Sequence, residues 1–254
     1  GSLDAWENYH MALWHSFRFT AQDTDRASAY LQRALELDPG FSRAHAAMSL
    51  AHFSRAFLNA SDDIDRDIAG ALASAERSVG LDGRDAMAHW SLGRAQFLCQ
   101  QHDLALDSLD RALQANPNYA QGHYARGFVG FHAGEDEHIL RELDMAQRLS
   151  PFDPLMFAMT SSRAMTLAMR GEYKEAARRA VSATLQPNAH FHIFAIAAVC
   201  LELAGQSEQA RLQLAKALQR HPGYSRDVFF RSFPHKLEAR RKLMDDALRR
   251  VGLP

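Results

Sequence analysis

Histidine is the residue type in this chain with the clearest capacity for chemistry, because imidazole binds metals and transfers protons near neutral pH. The chain has 13 histidines, and three of them occupy equivalent places in consecutive repeats: His45, His89 and His123. A helical metal site needs two ligands on one face, as in HExxH, and that motif is absent. Two further pairs miss the four-residue spacing: His10 with His15, and His132 with His138. We therefore predict half-buried packing histidines, no metal site and no cofactor.

The acidic segment SDDIDRD at residues 61–67 is the second candidate, since alternating carboxylates can bind calcium. An EF-hand loop beginning at Asp63 would need glycine at its sixth position, where the chain has Ile68. A helix cap is the simpler interpretation. Ser61 or Asp62 is predicted to cap the following helix, with the acidic side chains near its positive end.

Signatures of nucleophilic or phosphate chemistry are missing as well. The chain has no GxSxG motif and no Walker A loop, and its glycines around residue 130 do not form GxGxxG. Cys99 and Cys200 fall in different repeats, so we predict two small core residues without a disulfide. The chain is therefore predicted not to be an enzyme.

Charge and hydropathy exclude two further classes of function. Lys and Arg number 29 against 30 Asp and Glu, a balance that predicts no direct contact with nucleic acid. The longest apolar run, Ile193 to Leu201, is too short to span a membrane, and no signal peptide is visible. We expect a cytoplasmic protein.

The elements that position these residues are repeats. Residues 88–117 and 122–151 align at a spacing of 34, so that Ala112 matches Ala146 and Pro117 matches Pro151. A period of 34 with a helix–turn–helix pattern is typical of the tetratricopeptide repeat (TPR). A small residue at position 8 of the repeat, here Gly93, lets the two helices approach closely. The predicted fold is an all-α, right-handed α-solenoid of about six TPR helix pairs with a carboxyl-terminal capping helix.

The predicted boundaries cover the whole chain. Gly1-Ser2 is interpreted as a cloning remnant, and residues 3–254 as a single TPR solenoid. After Pro222 an irregular stretch is expected, followed by a helix from about Lys236 to Val251. The repeats are predicted at about 5–41, 42–85, 86–119, 120–153, 157–190 and 191–224, with the cap at 225–254.

The order of these repeats resembles a TPR region at the carboxyl end of bacterial multidomain signalling proteins. The segments that carry the resemblance are AWENYHMALWHSFRFT, YLQRALELDPGFSRAHAAMSLAHF and LMDDALRRVGLP. The resemblance implies an amino-terminal half that is a winged-helix DNA-binding domain or a class III adenylate cyclase domain. It also implies a role in signalling and in the regulation of transcription.

The first helices of a TPR stack line a concave groove, and positions 2, 5, 9, 12 and 13 of each point into it. At those positions the chain has many aromatic residues and one clear cation, without the Lys and Asn set that clamps an acidic carboxyl terminus. The predicted groove residues are Phe53, Trp90, Arg94, Phe97, Gln121, Tyr124, Phe128, Phe131, His132 and Met165.

The groove is predicted to bind a helical or extended peptide segment, so that the chain acts as a non-catalytic protein–protein interaction and regulatory module. The partner is a protein or peptide segment, which the missing amino-terminal half of the same protein could supply. Two alternatives remain open: a sensor that binds an apolar or amphipathic small molecule in the same groove, and a homodimerisation module. The rings could also be buried against each other or beneath the carboxyl-terminal segment.

Overall fold

The computed structural model describes residues 3–18 and 20–254, and in this part of the chain it contains 14 helices and no strand. None of the described helices is both long and apolar enough to cross a membrane. The helices are α1 Leu3–Ser16, α2 Ala21–Leu37, α3 Ser42–Phe57, α4 Ile64–Leu81, α5 Ala86–Leu98, α6 His102–Ala115, α7 Ala120–Ala133, α8 Ile139–Leu149, α9 Met156–Met169, α10 Tyr173–Thr184, α11 Phe191–Leu203, α12 Ser207–Arg220, α13 Arg226–Ser232 and α14 Glu238–Val251.

The first twelve helices follow one another in chain order as six helix pairs. The acidic link after α3 is shorter than predicted, because α4 already begins at Ile64. Its cap is Asp63, not Ser61 or Asp62: the Asp63 carboxylate accepts a hydrogen bond of 3.0 Å from the backbone N–H of Arg66. Ser61 supports the turn by accepting from the N–H of Asp63.

Proline ends the second helix of most repeats. The residue before a proline is pushed out of the helical region of backbone space, which stops the helix there. Asn116 before Pro117 has φ −145° and ψ 96°, and its N–H still donates to the carbonyl of Ala112. The pattern of small residues and prolines in the sequence therefore predicts these helix ends correctly.

Close packing inside the third repeat depends on Gly93. A Cβ atom added at Gly93 would lie 2.7 Å from Cγ of Leu109 and 2.9 Å from the carbonyl oxygen of Ala105, both on α6. Distances this short leave no room for a side chain. The predicted role of the small residue at position 8 is thus confirmed for this repeat.

The chain divides into two compact units, one ending at Val129 and the other beginning at Gly130, a boundary that falls within α7. Whether residues 3–254 form one continuous solenoid stays a prediction. The core of the first unit contains many alanines and a few large residues, among them Leu31, Phe97 and Leu109. The core of the second unit also contains aromatic rings, including Phe157 and Phe229.

The carboxyl-terminal segment is more ordered than the sequence indicates. The stretch expected to be irregular contains α13, capped by the Ser225 hydroxyl, which accepts from the N–H of Val228 at 3.3 Å. Helix α14 follows and buries Met244 and Leu248, as predicted for a terminal cap. Leu237 is not on that buried face, because it precedes the helix and is 42% exposed.

The two cysteines are free thiols. Cys200 lies on α11 and is fully buried, and burial raises its pKa to about 12. Cys99 ends α5 and is half-buried, and burial raises its pKa as well. Both act as small packing residues, as predicted, although Cys99 retains some exposure.

Candidate functional site

Nine of the ten predicted groove residues are buried. Their exposed fractions do not exceed 9%, and Gln121 is half-buried. Seven of the ten lie in the first unit, on α3, α5 and the first part of α7; the other three lie in the second unit. The seven are Phe53, Trp90, Arg94, Phe97, Gln121, Tyr124 and Phe128.

Arg94 lies at the centre of the cluster in the first unit. It is at position 9 of α5, and its guanidinium carbon is 4.1 Å from the ring centroid of Phe53 and 5.0 Å from that of Phe128. The two rings belong to the neighbouring first helices, α3 and α7. A guanidinium over an aromatic face is attracted by the negative face of the ring, by up to about 2 kcal/mol when desolvated.

Apart from the Tyr124 hydroxyl, the groups described around the Arg94 guanidinium are apolar rings. Burial lowers the pKa of its guanidinium, and a hydrogen bond to the Tyr124 hydroxyl partly opposes this effect. Arginine keeps its charge at neutral pH even so, because its ordinary pKa is above 12. Atom Nη1 is buried and has no hydrogen-bond partner, and no described carboxylate forms an ion pair with Arg94. The site therefore contains a buried positive charge without an acidic partner.

Trp90 supplies a second free donor near Arg94. It precedes Arg94 by four residues on α5, so the two side chains share one face of the helix. Its indole packs edge-on against Tyr119 with ring centroids 5.7 Å apart. The indole N–H is buried and has no acceptor. An indole N–H is a donor only, so an acceptor from a bound molecule would satisfy it.

Phe97 belongs to the core more than to a binding surface. Its side chain is fully buried, and its ring meets that of Phe128 in a T-shaped contact with centroids 5.1 Å apart. Tyr124 and Phe128 continue the cluster, with centroids 5.9 Å apart. Sequence position alone places Phe97 in the groove, whereas the structure gives it no exposed surface.

In the second unit, the predicted residues Phe131 and His132 are covered by the carboxyl-terminal segment. The His132 ring stacks on Phe233 at 5.6 Å, and its Nδ1 lies 3.3 Å from Nδ1 of His235. The Phe131 ring meets His235 at 5.8 Å. These two residues are therefore buried beneath the carboxyl-terminal segment, which is the alternative that the sequence left open. Met165 is 2% exposed and also belongs to the core of this unit.

Arg240 and Gly134 fix this covering segment in place. The Arg240 guanidinium donates to the carbonyl oxygens of Phe131 and Glu135 and to the carboxylate of Asp136, at the carboxyl end of α7, where a cation is favoured. Gly134 ends α7 with φ +95°, and a Cβ there would lie 2.5 Å from Cγ of Leu237. No sequence signal distinguishes Arg240, because it is one of several basic residues on the same helix.

The three equivalent histidines have one shared structural role. In each, Nε2 lies 2.9 Å from the carbonyl oxygen six residues earlier, at the end of the preceding repeat. A carbonyl only accepts, so Nε2 carries the hydrogen and donates it. The acceptors are Pro39 for His45, Gly83 for His89 and Pro117 for His123. In the described residues no group of three or more potential ligands could hold a metal ion.

A surface that the sequence reasoning missed lies on α1. Trp6 is 55% exposed, and Trp14 is 53% exposed. Together with Leu3, Met11 and Phe17 they form what we call the α1 stripe, an exposed apolar face near the amino end. The helical spacing of these residues was a usable signal, since position 3, 6, 14 and 17 fall on one face.

Comparison with known proteins finds solved structures with a similar fold. No protein-family model and no curated protein sequence matches this chain. Among solved structures, it is similar to a chain of the APC/C hetero-tetramer Cut9–Hcn1, with a TM-score of 0.65 and 14% identity over 96% of this chain and 46% of that chain. It is also similar to a tetratricopeptide repeat protein from Parabacteroides merdae, with a TM-score of 0.54 and 13% identity over 95% of this chain and 99% of that one.

A third similar structure is TTC0263, a TPR protein of Thermus thermophilus, with a TM-score of 0.54 and 22% identity over 72% of this chain and 91% of that chain. At sequence identities this low, the similarity concerns the fold alone. With the six helix pairs, they confirm the predicted fold class: the chain has the all-α solenoid fold of tetratricopeptide repeat proteins.

Proposed function

We propose that this chain is a non-catalytic interaction module that binds a peptide segment of a partner protein along its first helices. The observation that carries the proposal is the cluster around Arg94, where rings from the first helices α3 and α7 flank one buried cation on α5. Aromatic residues and arginine are the side chains most enriched where binding energy is concentrated at protein interfaces.

The comparisons support the general class of this function. The Cut9–Hcn1 assembly is described as a hetero-tetramer, so a protein with this fold takes part in association between different chains. The resemblance of AWENYHMALWHSFRFT to a region of bacterial signalling proteins supports a regulatory role in such a protein. We propose that the bound segment comes from a signalling partner, for which the amino-terminal half of the natural protein is the first candidate.

A peptide selection tests this proposal. The folded protein would be screened against a phage-displayed library of random 12-residue peptides, and enriched peptides would be measured by calorimetry. We expect enriched peptides whose affinity falls at least tenfold in Phe53→Leu and Phe128→Leu, which keep apolar volume but lose the aromatic faces. Phe152→Ala is the matched control, because Phe152 is 96% exposed and lies outside the cluster. Absence of any enriched peptide, or equal binding by all variants, would contradict the proposal.

A second candidate function, self-association, is favoured by the α1 stripe. A contiguous exposed apolar face on a water-facing helix is a frequent mark of an interface. The stripe is self-complementary in charge: Asp4 and Glu7 lie at its amino end and Arg18 at its carboxyl end. Two α1 helices packed antiparallel about a two-fold axis would place the Arg18 of one copy near the acids of the other.

Light scattering across a concentration series tests self-association. We expect a monomer–dimer equilibrium that Trp6→Glu and Trp14→Glu each shift toward monomer by at least tenfold in the dissociation constant. Leu185→Glu serves as the control, because Leu185 is 81% exposed but is distant in sequence from the stripe. A strict monomer at all concentrations would eliminate this candidate and leave the peptide-binding proposal unaffected.

A further inference from the structure

We propose that Arg94 is the receptor for a single carboxylate side chain, Asp or Glu, carried inside an apolar segment of the bound peptide; this inference rests on the proposed peptide-binding function. Arg94 is 8% exposed as a residue, and its Nη1 is buried and has no hydrogen-bond partner. The guanidinium has a hydrogen bond with the Tyr124 hydroxyl. Burying a charge without a counter-charge lowers the stability of a fold. A bound ligand that supplies the counter-charge would explain why this position has an arginine.

Other arginines of the first unit differ from Arg94 in this respect. Arg43 donates to Asp85 at 2.7 Å, and Arg126 donates to Asp110 at 2.7 Å. Both side chains are more exposed than Arg94. Water therefore stabilises their charges, and an acidic partner is less necessary. The most deeply buried of these three guanidiniums is therefore the one without an acidic partner.

Charge matching favours a single carboxylate over a phosphate or a nucleic acid. One guanidinium neutralises one negative charge, whereas a phosphate group carries close to two at neutral pH. The chain as a whole has a net charge of −1, which gives no general attraction for polyanions. A planar guanidinium also matches the geometry of a carboxylate, with which it forms two parallel hydrogen bonds.

The rings around Arg94 indicate where the acidic residue lies in the peptide. Phe53 flanks the guanidinium from α3 and Phe128 flanks it from α7. Apolar peptide side chains on both sides of the acid would meet these rings, which places the acid within the segment and not at its carboxyl terminus. The free indole N–H of Trp90, one turn earlier on α5, is available for a second acceptor of the same peptide. Rotamer changes at binding surfaces are common, and one at Arg94 would present Nη1 to the ligand.

The peptides selected on the wild-type protein are the probe, resynthesised with an acetylated amino end and an amidated carboxyl end. We expect them to share one Asp or Glu between apolar residues. Changing that acid to its amide should weaken binding at least tenfold on the wild type and leave binding to Arg94→Met unchanged. Arg94→Met should itself bind the acidic peptide at least tenfold more weakly, while its melting temperature is not lowered. Arg111→Met, at an exposed site on α6, is the control.

The outcomes separate this inference from the proposed function. Peptides that bind without acidic enrichment, and equally well to Arg94→Met, would overturn the carboxylate inference while the peptide-binding function stands. Selected peptides that bind only when resynthesised with a free carboxyl terminus would overturn it in favour of a terminal carboxylate. A lowered melting temperature with unchanged affinity in Arg94→Met would assign Arg94 a packing role. The acid-to-amide change on the wild type tests the inference even where that variant does not fold.

Discussion

Replacing Phe97 with alanine is expected to lower the free energy of unfolding by about 3–5 kcal/mol. The Phe97 side chain is fully buried and its ring contacts that of Phe128 at 5.1 Å, so truncation removes apolar burial and leaves a cavity. Urea denaturation followed by circular dichroism at 222 nm measures the change.

Phe152→Ala is the matched control for this prediction. It makes the same chemical change at a side chain that is 96% exposed, and we expect a change below about 0.5 kcal/mol. A loss of less than about 1 kcal/mol in Phe97→Ala would show that Phe97 is not part of the core, and would return it to the groove that its sequence position suggests.

Replacing Gly93 with valine is expected to destabilise the protein by about 3 kcal/mol, at the upper end of the usual cost of overpacking. The new Cβ would lie 2.7 Å from Leu109 and 2.9 Å from the backbone oxygen of Ala105, and a backbone atom cannot move aside as a side-chain tip can. Gly93→Ala should show the same sign with a smaller magnitude. The melting temperature and the denaturation midpoint both report this effect.

Replacing Gly80 with alanine, on the neighbouring helix α4, is expected to have the opposite effect on stability. A Cβ at Gly80 would meet nothing within 4 Å, so the change should stabilise α4 by up to about 1 kcal/mol through helix propensity. If Gly93→Ala lowered the stability no more than Gly80→Ala does, the close approach of α5 and α6 at Gly93 would be contradicted.

The helix pairs could be predicted from the sequence because their causes are local and periodic. Proline stops a helix wherever it occurs, and the alignment of Pro117 with Pro151 therefore fixes two equivalent ends. The cap at Asp63 and the helix α13 were missed for a different reason. Several neighbouring residues there could cap equally well, and a seven-residue helix has too few turns to show a period.

The candidate site could be predicted only as a set of positions. Repeat numbering places Phe97 and Arg94 on the same first helix of the third repeat, yet burial depends on what neighbouring helices place against each side chain. Arg94 meets rings from α3 and α7, which are remote in sequence, and so its lack of an acidic partner is visible only in the structure. The same holds for Phe131, whose cover comes from His235 in the carboxyl-terminal segment.

The histidine–carbonyl hydrogen bonds of the first unit have a consequence for cooperativity. Each joins position 4 of one repeat to the end of the repeat before it, so the three bonds strengthen the interfaces between repeats and not the repeats themselves. In a repeat protein, interface energy is what makes neighbours unfold together. Three consecutive junctions of the first unit are thereby held by one equivalent hydrogen bond each.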